Sequence, residues 1–241
     1  AHRACQGPDK EAEGHMRAVV VKLGGFAFPL EPDPDALRGY ARVFKRISEE
    51  GTRLVVVAGG GRLARTLIKV ARALGASEAI CDELGIVASR LNASLLALAL
   101  GLPDPLDVPG GPRPLLRALR TSSIVVVGGF QPGQSTDAVA VISAELIGAR
   151  LVVKATDVDG IYTADPKKHP EARKLDRLSY QEAVELLSRA EARAGTYELL
   201  DISAIRLARR SGISIRVVDG RDPENIYRAV RGEELGTLVG P

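Results

Sequence analysis

Residues 128–137, GGFQPGQSTD, follow the apolar run SIVVV at 123–127 and precede a segment with helical patterning. A glycine-rich loop between a strand and a helix N-terminus brings backbone N–H groups up to an anion. The same layout occurs three more times. RAVVVKL at 17–23 runs into Gly24 and Gly25, RLVVVA at 53–58 into Gly59, Gly60 and Gly61, and RLVVKA at 150–155 into Thr156, Asp157, Val158, Asp159 and Gly160. Four polar or glycine-rich turns at four strand ends predict one shared phosphate site, with Lys22 and Lys154 as its cations. A P-loop lysine signature and G-x-G-x-x-G spacing are both missing, so any nucleotide site is of another design.

The elements that must carry these turns follow from patterning. Valine-rich strands without alternation are buried on both faces, which predicts an α/β fold: a largely parallel sheet in a three-layer α/β/α sandwich. A further strand fits 213–218. Residues 62–74 place Leu63, Leu67, Val70, Ala71 and Leu74 on one helical face before Gly75, and 82–100 make a second face of Leu84, Leu91, Leu95 and Leu98. Residues 101–114 read as a Pro/Gly-rich connection. Ser179 and Glu182 form a capping box before a helix at 183–194, Asp201 caps a helix ending at Gly212, and Asp222-Pro223 opens a last helix closing at Gly232. Ligands of open parallel sheets sit at the carboxyl ends of the strands, where all four turns lie.

The 241 residues, 45% apolar and 26% charged, suit a compact folded enzyme. A net charge of +3, interspersed, with 4% aromatics argues against a nucleic-acid binder and for a small anionic ligand. The longest near-apolar run, 95–100, is far short of the ~20 residues of a membrane span. Two cysteines support neither a disulfide framework nor a metal cluster, which favours the cytoplasm. One Met, no Trp and a preference for Arg fit a heat-stable protein. Residues 1–15 have no apolar periodicity and lack the apolar centre of a secretion signal; they are set aside as a tail, either a cloning remnant or an upstream start before Met16. Residues 16–241 then form a single domain.

Four blocks in order, KLGG at 22–25, AGGGRLAR at 58–65, GGFQPGQSTDAVA at 128–140 and ATDVDGIYTADP at 155–166, resemble the UMP kinases of the amino acid kinase superfamily in their archaeal form. CDELGIVASRLNA at 81–93 and AGTYELLD at 194–201 are similar to the same group. The KxGG and GGG elements are shared across the superfamily; the FQPGQST loop and RLNA narrow it to UMP. The resemblance implies transfer of the ATP γ-phosphoryl group to UMP in pyrimidine nucleotide biosynthesis, with Mg²⁺ accompanying ATP, in a cytoplasmic homohexamer. It implies ATP binding by Lys22, Gly24, Gly25, Phe26, Gly61, Arg65, Thr156, Asp157, Tyr162 and Asp165, mainly toward residues 151–241. UMP falls to Gly60, Asp82, Phe130, Gln131, Pro132, Gly133, Gln134, Ser135 and Thr136, mainly within 16–150. Lys22, Arg65 and Lys154 are the catalytic candidates, and no protein metal ligand is expected. Asp157 departs from the archaeal pattern, which usually has Asn there. Alternatives are another small-molecule kinase of the superfamily, such as isopentenyl phosphate kinase, and a non-catalytic nucleotide-sensing protein of the same fold.

Phosphoryl transfer to an acceptor that is already an anion needs no strong general base, so catalysis reduces to positioning and charge stabilisation. Lysines and glycine amides supply both. Competing readings are structural: Lys154, in an apolar strand, serves either a ligand or a buried ion pair; Asp137 is a favourable acid in a helix's first turn; Asp201 is an N-cap. The three histidines have no metal-ligand spacing, and the Asn92-Ala93-Ser94 sequon lies in an apolar helical pattern where glycosylation makes no sense.

Overall fold

The computed structural model describes residues 17–164, 169–192 and 200–241. Strand β1 (Ala18–Leu23) leads through a short 3₁₀ turn to α1 (Pro34–Glu49), which Asp33 caps by accepting the Asp35 N–H. β2 (Arg53–Ala58) is followed by α2 (Gly61–Ala73) and the long α3 (Glu78–Leu100), and α4 (Pro112–Ala118) precedes β3 (Ile124–Val127). Then come α5 (Thr136–Leu146) and β4 (Leu151–Thr156). A small hairpin of β5 (Ile161–Tyr162) and β6 (Lys174–Leu175), β7 (Arg177–Ser179) and α6 (Tyr180–Ala192) complete the middle of the chain. The last elements are α7 (Ile202–Ser211), β8 (Ser214–Asp219), α8 (Pro223–Val230) and β9 (Thr237–Gly240).

Seven strands form one sheet in the order β3-β2-β1-β4-β8-β9-β7. From β3 to β8 every pairing is parallel, and only β9 returns antiparallel against β8, with β7 parallel to β9. Odd and even positions of β1 separate the two cores. Val20 belongs with α5 and α7 on one face, whereas Val19, Val21 and Leu23 belong with α1, α3 and α8 on the other. This is the expected three-layer α/β/α sandwich. The carboxyl ends of β1, β2, β3, β4 and β8 share one edge because they are parallel.

The caps read from sequence are in place. Glu182 accepts the Ser179 N–H while the Glu182 N–H donates to Ser179 Oγ, Asp201 accepts from Ser203, and Asp222 accepts from Glu224. The first of these helices begins at Tyr180, and residues 193–194 of its expected span lie outside the described ones. The last helix stops at Val230, and Gly232 follows at φ 89°. Part of the 101–114 connection is α4, whose Pro112 sits at the helix start, where its missing N–H is harmless.

The leucine faces need correction. On α2 only Gly61, Ala64 and Ala71 are buried, while Val70 and Leu74 stand 53% and 82% exposed. On α3, Leu91, Leu95 and Leu98 face outward, and the buried side is made of Cys81, Ile86, Ala88, Ser89, Asn92, Ala93, Leu96, Ala97 and Leu100, more than half of them small. Small residues there allow close approach to the sheet and to α1 and α2. By length and composition α3 is apolar enough to cross a membrane, but its buried polar residues are engaged inside the fold, as described below. Phe44 of α1 is fully buried beneath the sheet. Phe44→Ala should cost about 3–5 kcal/mol through lost transfer energy and a cavity, read as the shift in urea midpoint at unchanged slope.

Candidate active site

β1 and β4 are neighbours in a register that sets Lys22 directly beside Lys154. Both side chains rise on the α5 face at the carboxyl edge, and both are buried. Two ammonium groups opposite one another on adjacent strands repel. Asp137, in the first turn of α5, lies between them: it ion-pairs with Lys154 Nζ, and its Oδ1 is 3.4 Å from Lys22 Nζ. Asp137 Oδ2 also accepts the Asp201 N–H at 3.2 Å. The acid expected merely to suit a helix start is therefore also the counter-ion of both candidate cations, and the buried ion pair is one of the two roles left open for Lys154.

Burial pushes the Asp137 carboxyl upward, but Lys154, Lys22 and the hydrogen bonds from Lys154 and Asp201 outweigh it and hold the group well below the usual carboxylate range. Burial pushes Lys154 down to about 8, only partly offset by Asp137. Two basic side chains thus face one carboxylate at this edge.

The glycine turns close around it. Gly24 N–H donates to Ala155 O and Gly59 N–H to Leu23 O, joining the ends of β1, β2 and β4. A side chain on Gly25 would meet the Gly61 backbone at 3.1 Å and the Arg65 guanidinium at 3.7 Å, so the KLGG and GGG turns touch and Arg65 flanks them. Gly61 has φ +62°, and a Cβ there would stand 2.3 Å from Phe28 O; both facts demand glycine. The N-termini of α2 and α5 end at this edge with their positive dipole ends toward it. The Phe26 ring packs against Gly24 and Gly220, so what this residue offers the turn is backbone.

The FQPGQST loop is tied to α3. Asp82 Oδ2 accepts the Gly133 N–H at 2.8 Å, and Gly133 holds φ +77°. Phe130 is buried, Ser135 caps α5 by accepting the Ala138 N–H, and Gln131, Pro132 and Ser135 are exposed. Ser135 Oγ also donates to Asp201, linking the caps of α5 and α7. Gly60, the N-cap of α2, lies against Gly85 of α3. Farther out, Thr156 Oγ1 donates to Asp157 at 3.3 Å, and the Tyr162 hydroxyl donates to Asp159. Tyr162 is on the hairpin rather than at the strand ends; Asp165 is outside the described residues.

Ser89, Arg90 and Asn92 lie in the CDELGIVASRLNA block, whose resemblance assigns them no role of their own, yet they hold the loops. Arg90 donates to the carbonyls of Gly129, Phe130 and Gly110 at 3.0–3.2 Å. Ser89 Oγ accepts the Gly129 N–H, and Asn92 Nδ2 donates to Gly59 O, which occupies the amide a glycan would need. A signal for Ser89 and Asn92 is two polar residues three apart within an apolar helical pattern, since buried polar groups require partners.

The amino acid kinase family model matches residues 17–219, and the chain belongs to that family. Within it, the uridylate kinase of Hyperthermus butylicus is 50% identical over 224 residues, covering 92% of this chain and 97% of the relative. That of Methanothermobacter thermautotrophicus is 46% identical over 92% and 99%. The crystal structure of the Archaeoglobus fulgidus uridylate kinase superposes with a TM-score of 0.82 at 42% identity, covering 92% of this chain and 99% of that one. The resemblance read from the motifs, to the archaeal form of these enzymes, therefore holds along most of the chain.

Asp137→Asn should destabilise the fold by about 3–5 kcal/mol, because two buried lysines lose their counter-ion. Equilibrium unfolding in urea at neutral pH measures it. The wild-type carboxylate contributes stability that is complete above its unfolded-state pKa of about 3.9 and is lost as pH falls through its lower folded value. The variant should lack that acid-side loss.

Proposed function

We propose that the chain is a uridylate kinase, transferring the γ-phosphoryl group of ATP to UMP to give UDP and ADP. The observation that carries this reading is the Lys22–Asp137–Lys154 cluster set against the touching glycine turns at 24–25 and 59–61. In it, amides and cations converge where a phosphoryl group would pass between two anions. The relatives named above are uridylate kinases, and the loop held by Asp82 and Arg90 is the one whose motif carries the resemblance to that group.

In this reading Lys22 follows charge on the donor phosphates. Its ammonium is drawn to Asp137 by charge without closing a hydrogen bond on Oδ1, which leaves its N–H groups for phosphate oxygens. Lys154, bonded to Asp137, holds that carboxylate and adds positive potential from below. Arg65 and the Gly25 and Gly61 amides complete the charge stabilisation, while Gly24, whose own N–H is bonded to Ala155 O, lines the turn. Gly60, Asp82 and residues 130–136 hold UMP, while Phe26, Thr156, Asp157, Tyr162 and Asp165 position the adenine nucleotide. Residues 16–150 thus serve mainly the acceptor and 151–241 mainly the donor. No carboxylate becomes a base, because the UMP phosphate is already a nucleophilic anion. Among the described residues no group of three or more His, Cys, Asp or Glu could hold a metal, and Asp137 is engaged by lysines. Mg²⁺ brought with ATP would be held chiefly by phosphate oxygens and water and would offset their charge.

A cytoplasmic homohexamer completes the proposal. The apolar stripe of Val87, Leu91, Leu95 and Leu98 on α3, which a single chain leaves in water, supports self-association. Light scattering on the purified chain measures the assembly.

ADP release measured against UMP, CMP, dUMP, isopentenyl phosphate and acetylglutamate tests the activity. UMP should be turned over fastest, and CMP disfavoured by up to ~10⁴, because a loop that hydrogen-bonds the uracil edge leaves groups unpaired against cytosine. Equal use of CMP, or preference for isopentenyl phosphate, overturns the assignment. Lys22→Ala should lower kcat about 10²–10³-fold at saturating substrates. Its thermal melt should stay near wild type, since Asp137 keeps Lys154. A folded variant retaining more than about half of the activity removes Lys22 from catalysis.

A further inference from the structure

The β5–β6 hairpin has two residues per strand, too little to hold a position by itself. Thr163 N–H donates to Arg173 O at 3.0 Å, and the antiparallel register then pairs Tyr162 with Lys174 and Ile161 with Leu175. Hydrogen-bonded and non-hydrogen-bonded pairs alternate, so 161 and 175 face each other as the next hydrogen-bonding pair. At that pair a hydroxyl from outside the hairpin takes part: Thr237 Oγ1 accepts the Ile161 N–H at 2.7 Å and donates to Leu175 O. Thr237 is fully buried on β9, where it is paired with Val217 of β8. Gly160, at φ +153°, makes room for it, since a Cβ there would lie 2.7 Å from the Thr237 oxygen. One hydroxyl therefore bridges both strands of the hairpin and fastens them to the main sheet.

We propose that Thr237 is a positioning residue for the phosphoryl donor, acting through the β5–β6 hairpin that carries Tyr162. The proposal rests on the reading of Tyr162 as part of the ATP side. The hairpin leaves the sheet just after Thr156 and Asp157 at the end of β4, so its height above the edge sets where Tyr162 stands relative to a bound nucleotide. The acceptor loop hangs on α3 through Asp82 and Arg90 and makes none of these contacts. Loss of the Thr237 hydroxyl should therefore reach one substrate and spare the other.

The test is steady-state kinetics of Thr237→Val, which keeps the shape and removes the hydroxyl, with Thr237→Ser as the conservative variant. Thr237→Val should raise KM for ATP about tenfold, the scale of one lost hydrogen bond, with KM for UMP unchanged and kcat within about twofold. Thr237→Ser should return KM for ATP to within about twofold of wild type. Gly160→Ala, which crowds the same hydroxyl from the hairpin side, should repeat the ATP-selective loss and serves if Thr237→Val does not fold. Equal rises in both KM values, no change in either, or a serine variant as poor as valine overturns the proposal. If the wild-type chain fails to phosphorylate UMP, it is the uridylate kinase reading that falls. Calorimetric titration with ATP alone then decides the positioning claim, which requires about tenfold weaker binding in the valine variant and recovery in the serine one.

Discussion

Two lysines in register on adjacent parallel strands are the constraint around which this molecule is arranged. The β1–β4 pairing that builds the middle of the sheet forces Lys22 and Lys154 together at its carboxyl edge. Only a buried carboxylate delivered to that point makes the pairing tolerable. Asp137 can deliver it because α5 starts there, and α5 starts there because Ser135 caps it and Asp201 fastens both. The sheet, one helix start and the charge at the site are thus one arrangement.

Helix α3 carries the second arrangement. Besides its apolar packing, its inner side gives several side chains to backbone groups of neighbouring turns: Ser89 and Arg90 on the 128–130 turn, Asn92 on Gly59, Asp82 on Gly133. Loops that line a site must leave their backbone unpaired by secondary structure, and a rigid helix that supplies partners fixes them without filling the space a ligand needs. The outer leucines of the same helix do nothing for the isolated chain, which is why they read as a core face and are not one.

Much of this was legible because it is local. Valine runs declared the buried strands, glycines after them declared the turns, and Ser179, Asp201 and Asp222 announced helix starts by short-range hydrogen bonds. What escaped was set by distant pairing. Periodicity reveals that α3 has two faces but not which one meets the sheet, and small residues won over leucines because the packing there is close. β5, β6, β7 and β9 are two to four residues long, too short for any alternation to register. Asp137 read as an acid suited to a helix's first turn because its lysines approach only through strand register and helix placement, and Thr237 gave no sign at all, being one hydroxyl in a short apolar strand.

The charge imbalance at the sheet edge reaches beyond chemistry. Two lysines share one carboxylate at a buried edge, and an anion bound beside them would offset the excess of basic groups. Any ligand that prefers the folded form raises its stability by mass action. A phosphate-bearing ligand seated at this edge would therefore raise the melting temperature of the chain with its concentration, before any turnover occurs.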